Sequence, residues 1–416
     1  MKPLILKAPQ VNDYLAHKQH LLPASHLTDV VQVTRDVVAL HATAAVGPYL
    51  SLWARVPNFQ GAWLDDALHE HHTLARILCM RTTLHAVPGD EVPFFFQTYV
   101  QRFTRAGFRD GESLLVQAGL CQAGDAEATL KRLHRRVLDA LADQGPSTVQ
   151  ELSQAVPELQ ARVHYGVGKS YAGEFSLGSR LVPGMCTLGL LVRARPQGTW
   201  RSNLYEYAAL SDWLPEIDLE STSPQEAYTW LVRRYLAAFG PATFDDVRWW
   251  TGLSRREVQA GLEALKPAVQ EVTVEGWGDR YLMLNDDADA DVPSSAYIRV
   301  QRLRDFAPPD APYAFILPGL DPYIMGYRDR GRFLAPEHRS KVFDRAGNAM
   351  PTVWANGRVV GAWGQRKDGS VVYSLFGPVG EEERGLLEAR CRQLEGFLGG
   401  EFLPPRTHTP FTRALE

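Results

Sequence analysis

Cysteine is scarce in this 416-residue chain, and the four that occur, Cys79, Cys121, Cys186 and Cys391, lie far apart with no C-x-x-C pair. That spacing argues against a zinc ribbon and a disulfide framework, and leaves buried thiols in a reducing compartment. Long apolar runs are missing as well. No stretch approaches the roughly 20 residues that a membrane-spanning helix needs. The opening Met1-Lys2-Pro3-Leu4-Ile5-Leu6-Lys7 has one short apolar patch and no small-residue cleavage site, so a signal peptide is not expected and a cytoplasmic protein is. An excess of positive charge is also absent: the formal net charge is -4, unlike that of a histone-like binder.

What is present is an ordinary globular composition, 45% hydrophobic and 22% charged. At this length the chain should divide into units of about 100 to 150 residues each. Charge is segregated along it. Lys131 to Arg201 holds ten Lys/Arg against five Asp/Glu, Asp321 to Ser370 nine against five, and Glu206 to Glu220 five acids with no Lys or Arg. One basic groove beneath an acidic outer surface would produce such a pattern.

Three segments repeat one grammar of helix, short turn, helix and β-hairpin. In the first, helices are expected over about Asp29 to Leu40, Tyr49 to Arg55 and Trp63 to Glu70, then strands at Ala75 to Met80 and Thr83 to Val87. In the second, Leu130, Leu133, Val137, Leu138 and Leu141 recur at helical spacing, and Gly145-Pro146-Ser147-Thr148 breaks and recaps the chain into a helix at Val149 to Ala155. Strands at Leu188 to Arg195 and Thr199 to Tyr207 follow. The third copy has a helix from Pro224, Gly240-Pro241-Ala242-Thr243, helices at Asp245 to Thr251 and from Ser254 to Leu265, and a hairpin of Val269 to Val274 with Arg280 to Leu284. The paired Gly-Pro-small-Thr turns point to an internal repeat of winged helices.

From Tyr313 the texture changes to short apolar runs, among them Phe315 to Leu317, Tyr323 to Tyr327, Arg332 to Leu334, Val359 to Trp363 and Val371 to Leu375. Asn356-Gly357 and Asp368-Gly369 mark hairpins between them, which reads as a small β-barrel or strongly bent sheet. A last amphipathic helix is expected over Gly380 to Phe397.

Five motifs, in order, carry a resemblance: Tyr49-Leu50-Ser51-Leu52-Trp53-Ala54-Arg55, Arg81-Thr82-Thr83-Leu84-His85, Phe239-Gly240-Pro241-Ala242-Thr243, Leu317-Pro318-Gly319-Leu320-Asp321-Pro322, and Asn356-Gly357-Arg358-Val359-Val360-Gly361-Ala362-Trp363. In these the chain resembles the AlkZ/YcaQ-like DNA glycosylases over nearly its whole length. The resemblance implies an α+β, C-shaped, DNA-binding scaffold of three tandem winged helices (1–125, 126–222 and 223–310) and a small C-terminal β-barrel (311–416). It also implies monofunctional base excision of alkylated purines, above all N7-alkylguanine and interstrand crosslinks made through that atom. Duplex DNA is then the partner, with no cofactor or metal, and the protein is expected to be a monomer.

The family's catalytic triplet is Gln-Φ-Gln, Gln-Φ-Asp or, in some members, His-Φ-Gln, with Φ apolar. It aligns here with His41-Ala42-Thr43, expected at the end of the first domain's helix, and Thr43 departs from the pattern. An N7-alkylated guanine is already cationic, so its glycosidic bond needs no general acid; the site must hold a water against C1′ and tolerate oxocarbenium-like charge. A neutral His41 can accept the water's proton and Thr43 can orient it, whereas a protonated His41 would repel the cation. Thr43 supplies no negative charge, so reduced or altered activity is expected. The rival reading has His41 closing a helix end. Asp36, about one turn earlier, is a fallback carboxylate or a surface residue.

For DNA contact the candidates are Arg81, Lys169 and Arg180, the last two in a glycine-rich segment that also reads as an ordinary loop, and the turn Gly326-Tyr327-Arg328-Asp329-Arg330-Gly331-Arg332. There Tyr327, Arg328, Arg330 and Arg332, with Arg339, Lys341 and Arg345 nearby, could reach a groove and hold phosphates, or form a solvated turn. Tyr49, Trp53, Arg55, Asp321 and Pro322 are expected to frame the site. Trp53, Trp249 and Trp250 read as core. His69-Glu70-His71-His72 reads as a solvated helix end rather than a metal site, and Gly166-Val167-Gly168-Lys169-Ser170 is not a P-loop, since Val163 stands where that motif needs glycine. The alternative to an enzyme is a non-catalytic DNA-binding protein, a damage sensor or regulator; a third reading is an RNA or protein interaction scaffold.

Overall fold

A computed structural model describes residues 4–166, 168, 172–278, 280–285, 306–404 and 408–415. The chain forms two compact units, Met1–Leu64 with Tyr228–Glu416, and Asp65–Ala227. Helices and sheets are mixed in both, an α+β fold.

The first unit begins with strand β1 (Leu4–Leu6) and helix α1 (Ala8–Lys18). Helix α2 (Val30–Asp36) is capped by Asp29, whose carboxylate accepts from the Val31 and Gln32 amides at 2.8 and 3.0 Å. It stops short of the expected Leu40. Val38 takes a φ of +72°, a left-handed conformation that a β-branched residue resists and that no helix can continue through. The buried run Val37 to Leu40 therefore leads into the short strand β2 (Leu40–His41). Helices α3 (Gly47–Trp53) and α4 (Gly61–His69) follow, and the division between the units falls within α4.

In the second unit β3 (Leu74–Leu78) and β4 (Leu84–Pro88) pair antiparallel, as their sequence suggests. Helix α5 (Val92–Gln117) is not expected from the sequence, because Gly107 and Gly111 weaken its helical signal. Both glycines lie close under leucine side chains: a Cβ at Gly111 would stand 2.9 Å from Leu130 Cδ2, and one at Gly107 3.1 Å from Leu188 Cδ2. Next come α6 (Ala126–Gln144), β5 (Ser147–Thr148) and α7 (Val149–Ala155), then β6 (Arg162–Tyr165), β7 (Gly173–Ser176), α8 (Gly178–Thr187), β8 (Leu191–Pro196), β9 (Tyr205–Ala209) and α9 (Leu210–Trp213). Thr148 and Glu151 cap α7 reciprocally, the Glu151 amide donating to Thr148 Oγ1 at 3.2 Å and the Thr148 amide to Glu151 Oε2 at 2.8 Å. The sheet order β5-β9-β8 places this turn beside the hairpin. Leu115, Leu130, Val137, Leu152, Val163, Val182 and Met185 are fully buried in the shared core, each contributing roughly 1.5–3 kcal/mol of transfer free energy.

The chain returns to the first unit within α10 (Pro224–Phe239), followed by α11 (Phe244–Thr251), α12 (Arg255–Ala264), β10 (Val269–Val274) and β11 (Arg280–Leu284). Thr243 and Ser254 cap α11 and α12, and Gly252, with a φ of +69°, ends α11. The end of α10 is satisfied from the end of α1: Lys18 Nζ donates to the Gly240 carbonyl and Gln19 Nε2 to that of Ala238, both at 3.0 Å. Strand β1 lies parallel to β10, giving the sheet order β1-β10-β11.

The remaining elements are β12 (Ala314–Leu317), α13 (Arg339–Val342), β13 (Thr352–Ala355), β14 (Arg358–Gln365), β15 (Val371–Leu375), α14 (Glu381–Leu398) and α15 (Pro410–Arg413). Here the expected barrel is corrected. Among the described residues β12-β13-β14-β15 is an open antiparallel sheet, and four strands are too few to close around a core. Asn356 and Gly357, with φ of +47° and +71°, form the predicted hairpin turn. Tyr323 to Tyr327 and Arg332 to Leu334 are turns instead of strands. No helix of the described residues is long and apolar enough to cross a membrane.

Candidate functional site

The segment after α2 is fixed at both ends. At its start, Asp36 uses both carboxylate oxygens: Oδ2 meets His20 Nε2 at 2.8 Å and Oδ1 accepts from Gln32 Nε2 at 2.7 Å, while His20 Nδ1 contacts the Ser25 carbonyl at 2.6 Å. With both oxygens engaged and its side chain 8% exposed, Asp36 is a structural clamp, not a fallback base. At its end, Gly47 opens α3 so close to the triplet that a Cβ there would lie 2.6 Å from the His41 carbonyl oxygen. Between these anchors burial alternates: Leu40 and Ala42 are fully buried, His41 is half-buried and Thr43 exposed. A period of two in an extended segment turns residues 41 and 43 to the accessible side. The triplet thus sits on a short strand and the bend after it, not at a helix end.

Two motifs far apart in sequence meet beneath α3. Arg55 donates to Asp321 through Nη1 at 2.8 Å and Nη2 at 2.7 Å, and both side chains are fully buried. Ser51 Oγ donates to Asp321 Oδ2 at 2.9 Å and the Tyr323 amide to Oδ1 at 3.0 Å, so the carboxylate is saturated. A buried bidentate pair with every acceptor filled satisfies the conditions under which such a pair fixes geometry. Tyr49 is buried, and Pro322 lies buried at the corner beside Asp321. Trp53 is part-buried, with Phe397 at 6.4 Å and the Arg390 guanidinium 4.7 Å from its ring centre.

The arginine-rich turn is mostly interior, which corrects its expected role on DNA. Arg332, 3% exposed, donates to Asp246 Oδ2 at 2.6 Å and to the Pro241 carbonyl at 3.1 Å, and its guanidinium lies 3.8 Å from the Tyr327 ring centre. Asp246 also accepts from the Arg328 and Asp329 amides, at 2.8 and 3.1 Å, besides capping α11. Burial pushes the Tyr235 and Tyr327 phenols well above the ordinary range, so both stay protonated and donate, to the Gly326 and Phe239 carbonyls at 2.8 and 2.9 Å. Arg330 is buried between the rings of Trp249 and Phe343, at 4.5 and 4.6 Å. Arg328 alone of the three arginines is exposed, and it pairs with Asp245.

In the second unit Arg81 and Thr82 occupy the exposed tip of the β3–β4 hairpin with φ of +55° and +60°. Two successive left-handed residues that are not glycine are a strained arrangement of the kind that gathers at functional loops. Thr83 Oγ1 braces the tip by donating to the Met80 carbonyl at 2.8 Å. Arg180 is half-buried, its guanidinium 3.7 Å from the Phe175 ring centre and 4.7 Å from that of Tyr165. Lys169 lies outside the described residues.

The histidine run departs from a solvated helix end. His69 is buried, and burial first, then the Arg76, Arg195 and His72 charges, lower its pKa to about 3, while His72 stacks on Trp213 at 3.9 Å. Among the described residues no group of three or more metal-ligating side chains converges. Sequence reasoning missed the His20–Asp36–Gln32 clamp; the spacing of Gln32 and Asp36 over one helical turn was its only local signal.

Three comparisons bear on this arrangement. A Streptomyces sahachiroi protein described as an interstrand DNA cross-link repair glycosylase is 31% identical over 161 residues, a match covering 37% of this chain and 37% of that relative. The solved structure of Streptomyces sahachiroi DNA glycosylase AlkZ superposes with a TM-score of 0.68 at 21% identity, covering 97% of this chain and 100% of that one. That likeness establishes the fold. A family model described as DNA glycosylase AlkZ-like matches residues 34–397, and the chain therefore belongs to the AlkZ-like DNA glycosylase family.

Proposed function

We propose that this protein is a monofunctional DNA glycosylase that acts as a monomer on duplex DNA, hydrolysing the N-glycosidic bond of N7-alkylated guanine and of crosslinks made through that atom. The observation that carries the reading is the accessible pair His41 and Thr43, on a segment held by the Asp36 clamp and by the His41 carbonyl against Gly47. Family membership and the sequence relative named for crosslink repair support it.

In this reading the alkylated base leaves as a neutral purine, taking the bonding electrons of the C1′–N9 bond, while a water held by His41 and Thr43 adds to C1′. The water's proton passes to the neutral His41 ring and then to solvent. Thr43 orients the water but brings no charge, so the site relies on the cationic leaving group. Arg81 and Arg328 contact phosphates. The orders α6-β5-α7-β6-β7-α8-β8-β9, with β6 and β7 an inserted strand pair, and α10-α11-α12-β10-β11 support winged helices in the segments 126–222 and 223–310, and we extend that assignment to 1–125. The departure at Thr43 favours one second reading, a DNA-binding damage sensor that has lost catalysis.

The test is release of free base from duplexes carrying N7-methylguanine or an N7-linked crosslink. His41→Ala is expected to slow release by at least about tenfold, near 1.4 kcal/mol of transition-state stabilisation, and Thr43→Ala by less. Absence of release from either duplex, with salt-sensitive binding retained, would replace the enzyme by the sensor.

A further inference from the structure

Helices α1 and α2 are each followed by a residue in the left-handed region where glycine is usual: His20, with a φ of +54°, and Val38, with a φ of +72°. After α1 the His20 amide donates to the His17 carbonyl at 2.9 Å and the Leu21 amide to that of Ala16 at 3.0 Å. The chain then turns at Ser25, whose hydroxyl donates to the Leu22 carbonyl at 2.8 Å. After α2 the Val38 amide donates to the Arg35 carbonyl at 3.0 Å, and the same carbonyl accepts from Arg234. Side-chain-bearing residues persist in this conformation only where their surroundings hold them. What ties the two helix ends together is the contact of His20 with Asp36.

The His20 ring lies between two acceptors. Its Nδ1 is 2.6 Å from the Ser25 carbonyl oxygen and its Nε2 2.8 Å from Asp36 Oδ2. A carbonyl only accepts, so Nδ1 carries a proton. Nε2 of a neutral ring would then turn a lone pair on a carboxylate whose other oxygen already accepts from Gln32. Both contacts are hydrogen bonds only when the His20–Asp36 pair holds one proton more than a neutral ring and a carboxylate. The placement agrees: Asp36 is the last residue of α2, where the helix dipole disfavours a lone carboxylate and favours a cation beside it. The neighbouring histidines are held toward the neutral form. Burial and then the His20 charge lower the pKa of His17, and burial, then Arg390, then His20 lower that of His26 to about 4.

From Asp36 the path to the triplet is short and packed. Val37, Val38, Ala39 and Leu40 are each at most 2% exposed, so a rotation at Asp36 finds no loose residue to absorb it before His41. We propose that His20 and Asp36 are positioning residues for His41 and Thr43, and that their shared proton keeps the segment in place for attack of water on C1′. The inference rests on the glycosylase reading above. It gives base release two opposed proton requirements: His41 must be neutral to accept from the water, and the His20–Asp36 pair must be protonated to hold the segment. A misplacement of about 1 Å can cost on the order of a hundredfold in rate.

The experiment follows single-turnover base release from an N7-methylguanine duplex at saturating full-length protein over roughly pH 5 to 8, with duplex affinity and unfolding measured alongside. Wild-type release is expected to rise and then fall across this range. Asp36→Asn should abolish the alkaline fall, because its amide oxygen still accepts from Gln32 while its NH2 donates to a neutral His20 ring. Asp36→Ala should be slower by at least about tenfold throughout, at unchanged duplex affinity. If wild type and Asp36→Asn release base with the same pH profile, the positioning role is overturned and the glycosylase reading stands. A folded Asp36→Ala with the wild-type rate overturns it as well; where Asp36→Ala does not fold, the Asp36→Asn profile decides alone. Absence of release from wild type at every pH removes both readings together.

Discussion

The two Gly-Pro-small-Thr turns read alike in sequence and each leads into a capped helix, yet they end in different roles. After Gly145-Pro146-Ser147-Thr148, Glu151 caps α7 and does little else, lying near the surface, where the Thr148 amide and hydroxyl hold its carboxyl below the usual carboxylate range. After Gly240-Pro241-Ala242-Thr243, Asp246 caps α11 in the same way but is fully buried, and gathers Arg332 and the Arg328 and Asp329 amides as well. One sequence grammar thus sets local structure in both places. What surrounds the capping acid decides whether it remains a cap or becomes the anchor of a distant loop.

The strongest way to break this comparison is to remove the cation from each buried pair. Arg332→Met strands the Asp246 carboxylate and is expected to cost about 3–5 kcal/mol in denaturant unfolding, as is Arg55→Met, which strands Asp321. Glu151→Ala removes only a cap and should cost about 1 kcal/mol by the same measurement. Equal losses at the two turns would mean that the buried network adds nothing to the cap.

Acid sharpens the contrast from another side. His134 is buried in the second unit and burial lowers its pKa to about 4. The unfolded chain then binds a proton near 6.5 that the folded chain refuses, so stability is full above that value and is lost as the pH falls towards 4. The loss approaches about 3 kcal/mol for this residue, and His134→Leu should shift the acid midpoint of circular dichroism downward. His69 acts in the same direction, with a window reaching about 3.

Smaller effects concern function. Thr43→Gln restores the residue type expected at that position and should raise base release above wild type by a few fold, about 1 kcal/mol of barrier. Arg328→Ala is expected to leave stability within about 0.5 kcal/mol and to reduce the salt slope of duplex binding by about one. An unchanged slope would remove Arg328 from the interface.

Much of this fold was legible wherever the signal is local. Thr148, Thr243 and Ser254 with the acids three residues on set helix starts, and Asn356-Gly357 set its hairpin, because caps and turns are decided within four residues. Helix α5 was hidden, since Gly107 and Gly111 weaken its local signal, while the close approach of Leu188 and Leu130 to them is visible only in the fold. Tyr323 to Tyr327 and Arg332 to Leu334 read as short apolar runs of a barrel or bent sheet, but Asp246 and Asp321 hold this stretch in turns through contacts no local pattern announces. The candidate site divides the same way. His41-Ala42-Thr43 could be found by motif, whereas the saturation of Asp36 by His20 and Gln32 could not.

The pairing of Arg55 with Asp321 has a consequence for synthesis. The guanidinium belongs to the first segment of a discontinuous unit and its carboxylate to the last, with Asp65–Ala227 translated in between. At roughly 5–20 residues per second the ribosome delays the partner by on the order of ten seconds or more. During that interval the contiguous Asp65–Ala227 can complete its core while α3 waits with an unmatched cation. Truncation before Asp321 makes that interval permanent, so no N-terminal fragment should inherit the geometry of His41 and Thr43.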